Sequence, residues 1–564
     1  MRFSFPSRVM VLLLWSLGLL LRAQGLLPEV QERKLKNGFR VLVVERPGTG
    51  MVHAGLFLGS GSAGTGGLPP AASELLARCL FKPPIEGDAQ HGKDVEALLR
   101  QEEGAFEALR FERIKLARRP DAGTSEELQG LELLQRRAFE RIQELEDKTS
   151  QVDPLAALGA DRQDLRVEAD LVAFGLDLPK ASLGPCCGLL ADRMRTLVLA
   201  RFPLERERLL RELDDEDAWR DRKSFDILVG AALAGHPYAR VYDLRKAGVE
   251  TLTWSDLRAY ARWAAAPERA VLVLVGDLKL PDISPLLDRT FGRLEPGPSG
   301  WGHLEDLPLE LPEGTGARRL QVSVAGERRL FMGWRVPPAT HPDHQALCVV
   351  AKMLGGGTTS RLVQRVGGER GLADSLSVRL DVPGGRDTSL LVIDARPAER
   401  HGLAELEQAM QADLVALQRG AFQEGEIRRA QRLVEMDQLA LQEDAARLAQ
   451  ALGAAVCRSG DWQLAFRALQ FKQDFTQQEI QRVVLKYLVP GRSTIVFLEP
   501  DPVLMPQDRI EAETAKLLTR ILSAKLEGPG QVETVVRETL RQLRMLPVAE
   551  REQTLRLLES QVRP

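Results

Sequence analysis

Phe39-Arg-Val-Leu-Val-Val-Glu-Arg-Pro-Gly-Thr-Gly-Met-Val-His-Ala-Gly-Leu-Phe-Leu58 is the stretch on which the fold turns. Two apolar, β-branched runs, 39–45 and 51–58, flank Pro47-Gly48, a pair that marks a turn. They read as two strands of one sheet. Helical sequence follows, and the continuous apolar run Ala270-Val-Leu-Val-Leu-Val-Gly276 closes the unit as a buried strand. The same order then returns. Leu320-Gln-Val-Ser-Val324 and Arg329-Leu-Phe-Met-Gly-Trp334 open a second unit, Ser389-Leu-Leu-Val-Ile393 continues it, and Ser493-Thr-Ile-Val-Phe-Leu498 ends it. Between the units, Pro296-Gly-Pro-Ser-Gly-Trp-Gly302 and a Leu/Pro/Glu stretch to Gly316 have the composition of a linker, set at 296–317. The fold expected is α+β: two related halves, 30–295 and 318–500, each with helices packed on a mostly antiparallel sheet. The relation rests on the order and length of elements, not on identity between the halves.

Size and composition agree with such a body. At about 150 residues per domain, 564 residues make roughly four units, arranged in pairs. Apolar residues are 44% and charged residues 27%, which sets aside disordered, collagenous and multi-pass membrane classes. With 76 Lys+Arg against 79 Asp+Glu there is no cationic surplus for phosphates, so nucleic acid is not an expected partner. Arg2 and Arg8 precede the apolar run Val9–Leu21, and Leu21-Arg22-Ala23 ends on a small residue. That order reads as a secretory signal peptide over 1–23, too short to span a bilayer stably. That order predicts a periplasmic or secreted protein, with membrane contact only if the segment stays uncleaved. Cys79, Cys186, Cys187, Cys348 and Cys457 are sparse and odd in number, so they read as buried apolar thiols rather than a disulfide framework.

Two additions are legible. Within 93–148, apolar residues recur at helical spacing (Leu128, Leu131, Leu134, Ala138, Ile142, Leu145) in a charged background. Arg118-Arg-Pro-Asp-Ala-Gly123 breaks the pattern, and Thr124 with Glu127 has capping-box spacing. This is a helical hairpin, either a solvated arm or a partner contact. Residues 506–564 read as a helical C-terminal tail broken at Gly528-Pro-Gly530.

Gly59-Ser-Gly-Ser-Ala-Gly64 follows a strand and matches GxGxxG, yet Gly66-Gly67 and Pro69-Pro70 intervene before any helix. The dinucleotide fingerprint needs its last glycine to open the helix that holds pyrophosphate. The reading is therefore a flexible loop. Gly355-Gly-Gly-Thr-Thr-Ser-Arg361 lacks the P-loop lysine and reads as a helix end followed by a turn.

Taken in order, Leu35-Lys-Asn-Gly-Phe-Arg-Val-Leu-Val43, Gly59-Ser60-Gly61, Leu75-Leu-Ala-Arg-Cys-Leu-Phe81, Glu205-Arg-Glu-Arg-Leu-Leu-Arg-Glu212, His236-Pro-Tyr238, Val275-Gly-Asp277, Leu354-Gly-Gly-Gly-Thr-Thr-Ser-Arg-Leu362 and Gly371-Leu-Ala373 form a series. That series resembles the pitrilysin/insulinase family of zinc metallopeptidases, which includes mitochondrial processing peptidase. The resemblance runs over roughly residues 30 to 500. It implies two peptidase-like α+β domains. It also implies an inverted HxxEH motif on a helix, where two His one turn apart hold zinc and the Glu activates water.

Aligned on Cys79-Leu-Phe81, the three motif positions fall on Glu74, Ala77 and Arg78, so both His and the Glu are replaced. No two of His53, His91, His236, His303, His341, His344 and His401 stand four apart. His341 and His344 flank Pro-Asp, where Asp or His as a helix cap is the plainer reading. Glu212 matches the family's more distant third ligand, but alone it reads as a leftover helix acid, with Arg78 putting positive charge where the metal would sit. The second half of such proteins supplies an Arg and a Tyr seven residues apart; those positions are Gly367 and Asp374, and neither Arg365 nor Arg370 matches the motif. There is no GxSxG, no HExxH, and no Cys with a recognisable partner His.

The family works as clam-shell pairs of two-domain units, some without zinc. The resemblance thus implies an exported non-catalytic chain that partners an HxxEH-containing homologous subunit and holds peptide or unfolded polypeptide, with no cofactor. Two other readings stand beside it: an active metallopeptidase with an atypical zinc site, and a structural or chaperone-like interaction protein centred on the hairpin and tail.

Overall fold

The computed structural model describes residues 27–562 except 83–91, 118–125, 149–152, 214–215, 243–245, 300–317, 325–326, 471–474, 501–504, 524–528, 545 and 547. The signal segment 1–23, Thr124 and most of the linker lie outside the described residues. The first sheet comprises β1 (Val30–Lys34), β2 (Arg40–Glu45), β3 (Met51–Leu58), β4 (Asp161–Val167), β5 (Val172–Pro179) and β6 (Ala270–Gly276), in the order β1-β2-β6-β3-β5-β4. The second comprises β7 (Arg318–Val324), β8 (Arg329–Val336), β9 (Ala373–Val382), β10 (Ser389–Pro397) and β11 (Thr494–Pro500), in the order β7-β11-β8-β10-β9. Only β2/β6 and β7/β11 run parallel. Leaving out β1, the two halves place their strands identically: first beside last, then second, fourth and third.

The longer helices of the first half are α1 (Ala71–Phe81), α2 (Gly92–Ala117), α3 (Glu126–Lys148), α4 (Leu183–Thr196), α5 (Phe202–Leu213), α6 (Glu216–Ala232), α7 (Trp254–Ala264) and α8 (Leu280–Arg289). Those of the second are α9 (His344–Gly355), α10 (Leu403–Gln418), α11 (Glu424–Ala440), α12 (Ala445–Ser459) and α13 (Gln477–Tyr487), and the tail adds α14 (Met505–Ser523), α15 (Pro529–Arg544) and α16 (Val548–Val562). The architecture is α+β, with two mostly antiparallel sheets.

The apolar runs are explained by burial on both faces of each sheet. Val41, Val43 and Leu56 point into a core with Phe81, Leu190 and Leu287 from helices of the same half. Their neighbours Leu42, Val44 and Phe57 point the other way, into a core with Leu448, Ala449 and Leu452 of α12, which belongs to the second half. Gly453 permits this contact: a Cβ there would lie 2.3 Å from the Phe57 ring. The second sheet is treated in kind. Phe331, Leu390, Val392 and Val496 pack under Phe225, Leu228 and Val229 of α6, from the first half. Burial of each such side chain contributes roughly 1.5–3 kcal/mol. Each half therefore lends a helix to cover the other's sheet. Asp170 adds a polar tie, accepting from the Tyr238 hydroxyl and, across the halves, from the Gly385 and Arg386 amides at 2.9 and 3.2 Å.

Four strands have no counterpart among the runs read from sequence. β4 (Asp161-Arg-Gln-Asp-Leu-Arg-Val167) and β9 are sheet edges with almost no fully buried positions, so apolar content gives them away least. β1 and β5 are the others.

The hairpin is α2 and α3, and it is not a free arm. Val95, Leu99 and Ile142 join the core of α1, α5 and α7, and buried Glu102 accepts from the Arg206 guanidinium at 2.8 Å. The tail has a second break near Leu546, giving three helices where the glycines alone predict two. Cysteine burial is also uneven: Cys186 and Cys187 are core residues, while Cys79, Cys348 and Cys457 are half-buried, and all five are free thiols.

Candidate functional site

The loop from Gly59 to Gly64 ends in a short helical turn at Ser62–Gly64, and it is packed rather than flexible. Ser60 is buried with its hydroxyl 2.8 Å from that of Tyr260, and the Ser62 and Ala63 amides donate to the Glu168 and Ala169 carbonyls at 2.9 and 3.0 Å. A Cβ on Gly61 would fall 2.2 Å from the Glu168 carbonyl oxygen, so the glycine is there for close backbone approach. Nothing in this geometry cradles a pyrophosphate. Its effect is to fix where α1 begins.

On α1, Leu75, Leu76, Ala77, Leu80 and Phe81 are buried. Glu74 and Arg78, one turn apart, occupy the flank that meets α5, and there the residues of the expected zinc site come together. Arg78 Nε donates to Glu74 Oε1 at 2.9 Å. Its two terminal nitrogens donate to Glu212 Oε1 and Oε2 at 2.9 and 2.8 Å, a bidentate pairing. Glu212 is thus no leftover acid: it is tied to α1 across 134 residues of sequence. Ala77 faces the core and takes no part. Burial opposes the Arg78 charge, but Glu212 and Glu74 outweigh it, so its pKa is raised. The same bonds hold the Glu212 carboxyl below its usual value.

A second layer backs this triad. Fully buried Glu205, one α5 turn pair before Glu212, accepts from Lys82 Nζ and Arg208 Nη1, each at 2.6 Å. Arg208 also reaches Glu146 of the hairpin at 2.7 Å.

The residues present do not fit zinc. The ligand set would need two imidazoles and Glu212 converging on one point, whereas a guanidinium stands there and engages both carboxylates. Among the described residues, no group of three or more His, Cys, Asp or Glu is arranged to hold a metal ion.

The second-half positions lie elsewhere. Gly367 is in a wide helical turn, Val363–Glu369, and Asp374 is the second residue of edge strand β9. Neither joins the Arg78 cluster. Arg365 pairs with Asp413 at 3.1 Å. Gly355–Arg361 is indeed a helix end and turn.

The segment His341-Pro-Asp-His344 does not cap its helix as expected. Asp343 stands at the cap position of α9 without a side-chain cap bond, because Arg482, Lys486 and Tyr487 take its carboxylate at 2.6, 2.9 and 2.8 Å. His344 instead meets Asp381, and its other nitrogen faces Cys348. A Cys with a partner His is therefore present. The pair was visible as an i, i+4 spacing on an apolar helix; Asp381, on another element, was not.

Residues 251–434 match the model described as Peptidase M16 inactive domain. The probable mitochondrial-processing peptidase subunit beta of Schizosaccharomyces pombe is 27% identical over 185 residues, covering 30% of this chain and 37% of that protein. The chain spans about two fifths of the length of the first curated relatives it matches. Among solved structures, a protease from Helicobacter pylori superposes with a TM-score of 0.62 at 18% identity, over 84% of this chain and 100% of that one. The periplasmic protease PqqL from Escherichia coli gives 0.57 at 13% identity, over 91% of this chain and 50% of that one. At such identities the structures speak for the fold. By matched inactive domain, named relatives and shared fold, the chain is similar to the M16 zinc peptidases.

Proposed function

We propose that this chain is an exported, non-catalytic partner of an HxxEH-bearing homologue and helps that subunit enclose peptide. The observation that carries the reading is Arg78. Its guanidinium fills the place of the metal and holds Glu74 and Glu212 in three charge-assisted hydrogen bonds, so the peptidase body keeps its shape while its chemistry is replaced. Two further observations support it. The chain corresponds to half the length of a periplasmic protease of the same fold, as one unit of a pair would. Edge strand β4 packs against α1 and, among the described residues, leaves one row of backbone groups without a neighbouring strand, the geometry by which an extended peptide joins a sheet. Export rests on the signal-peptide composition of residues 1–23, and no described helix is long and apolar enough to cross a membrane.

The test is to purify the mature chain alone and together with an exported HxxEH-bearing homologue. Alone it is expected to hold no stoichiometric zinc and to cleave no peptide, while the pair copurifies and cleaves. One zinc per chain with peptide cleavage by the chain alone, lost on Glu74→Ala or Glu212→Ala, overturns the reading.

A further inference from the structure

The second half holds an arrangement that the metal chemistry does not use. His344 opens α9 and Cys348 follows one turn later on the same face, with Sγ 3.7 Å from Nδ1. His344 Nε2 lies 2.9 and 3.0 Å from the two oxygens of Asp381. With Nε2–H donating to that carboxylate, the ring is fixed in the tautomer whose Nδ1 lone pair faces the sulfur. Asp381 sits on β9 at φ 60, the left-handed region that Asp tolerates. A thiol, a base within hydrogen-bond reach and a third group that orients the base are the parts of an activated nucleophile.

The surroundings favour chemistry over packing. Cys348, His344 and Asp381 line a cavity of about 240 Å³ with apolar walls at Val434, Leu464 and Phe475 and cations at Arg458 and Arg467. By contrast, Cys186 is packed in the core, where burial pushes its thiol up to about 11 and keeps it protonated.

We infer that Cys348, His344 and Asp381 form a thiol nucleophile, its base and the orienting carboxylate, which accept the acyl group of a small activated ester with an apolar acyl chain. The cavity is too small for polypeptide, so this site is separate from the proposed peptide-holding role. In the first step the Cys348 thiol proton passes to His344 Nδ1 and sulfur bonds to the carbonyl carbon. The ester C–O bond then breaks and the departing alkoxide takes the proton from Nδ1, leaving a thioester on Cys348. In the second step water gives a proton to Nδ1 and attacks the thioester carbonyl. The C–S bond breaks, the thiolate recovers the proton from Nδ1, and a carboxylic acid leaves.

The experiment treats the full chain with p-nitrophenyl acetate and maps acetylation by mass spectrometry. Expected are a burst of one equivalent of p-nitrophenol and acetyl on Cys348, formed at least about tenfold faster than on half-buried Cys79 in the same sample. Cys348→Ser removes the burst, and His344→Gln slows it roughly a hundredfold. Labelling of Cys348 no faster than Cys79 in the unaltered protein overturns the inference, whether or not the variants fold. Equal rates for folded His344→Gln and unaltered protein do so as well.

Discussion

Replacing Arg78 with Met removes a charge and keeps most of the side-chain volume, so it isolates what the guanidinium does. The Arg78 side chain is 13% exposed, Glu74 19% and Glu212 47%. Breaking a fully buried ion pair from one side costs about 3–5 kcal/mol, because a charge is left without its partner. A solvent-exposed pair is worth about 0–1 kcal/mol. Glu74 stands nearer the first case and Glu212 nearer the second, so the sum for Arg78→Met is about 3 kcal/mol. At about 2–4 °C per kcal/mol for a unit of this size, that lowers the melting transition by about 6–12 °C. The loss also depends on pH. The folded-state pKa of Glu212 lies below 4.5, its ordinary value, so its contribution is complete above that pH and fades as pH falls through the lowered value. The gap between variant and parent is therefore full at neutral pH and narrows below 4.5. Differential scanning calorimetry across that range checks both statements. A shift under about 1 °C at neutral pH, or a gap that does not narrow in acid, would refute the role given to Arg78.

Two further outcomes follow from the same geometry. The triple variant E74H/A77E/R78H is expected to bind one zinc per chain with Glu212, and zinc at about 100 times its Kd should then add about 2.7 kcal/mol of stability. Elemental analysis and metal-dependent melting read this directly, and absence of zinc uptake by a folded variant counts against the assigned positions. Asp170→Ala removes the acceptor that Tyr238, Gly385, Arg386 and Arg458 share, in a residue only 3% exposed. It should cost about 3 kcal/mol and speed limited proteolysis between the halves; unchanged cleavage would show that the polar tie is dispensable.

How much was legible depended on how local each feature is. β2, β3, β6, β8, β10 and β11 read clearly because each is covered on both faces, so their sequences are almost unbroken apolar runs. β4 and β9 did not, since an edge strand with exposed positions looks like polar loop. The positions Glu74, Ala77 and Arg78 were found only through the family resemblance, and the sequence showed what had been lost there, not what replaced it. That Arg78 grips Glu212 is a contact between separate helices, which no periodicity reveals. The glycine loop was misread for the same reason. The backbone that crowds Gly61 comes from residues 168–171, far along the chain. His344 and Cys348 share a helix and were within reach of inspection; Asp381, 37 residues beyond His344, needed the sheet to bring it home.

The exchange of α6 and α12 between the halves bears on why the two are kept together. Phe57 and Val273 are covered by α12, while Phe331 and Val496 are covered by α6, so removing either half would strip a sheet face in the survivor. Expressed separately, each half should stick to itself or to whatever apolar surface it meets. Catalytic residues can be replaced one at a time, but a lent helix is part of its neighbour's interior. Either half thus remains indispensable as a wall of the other, and its upkeep does not depend on its own chemistry.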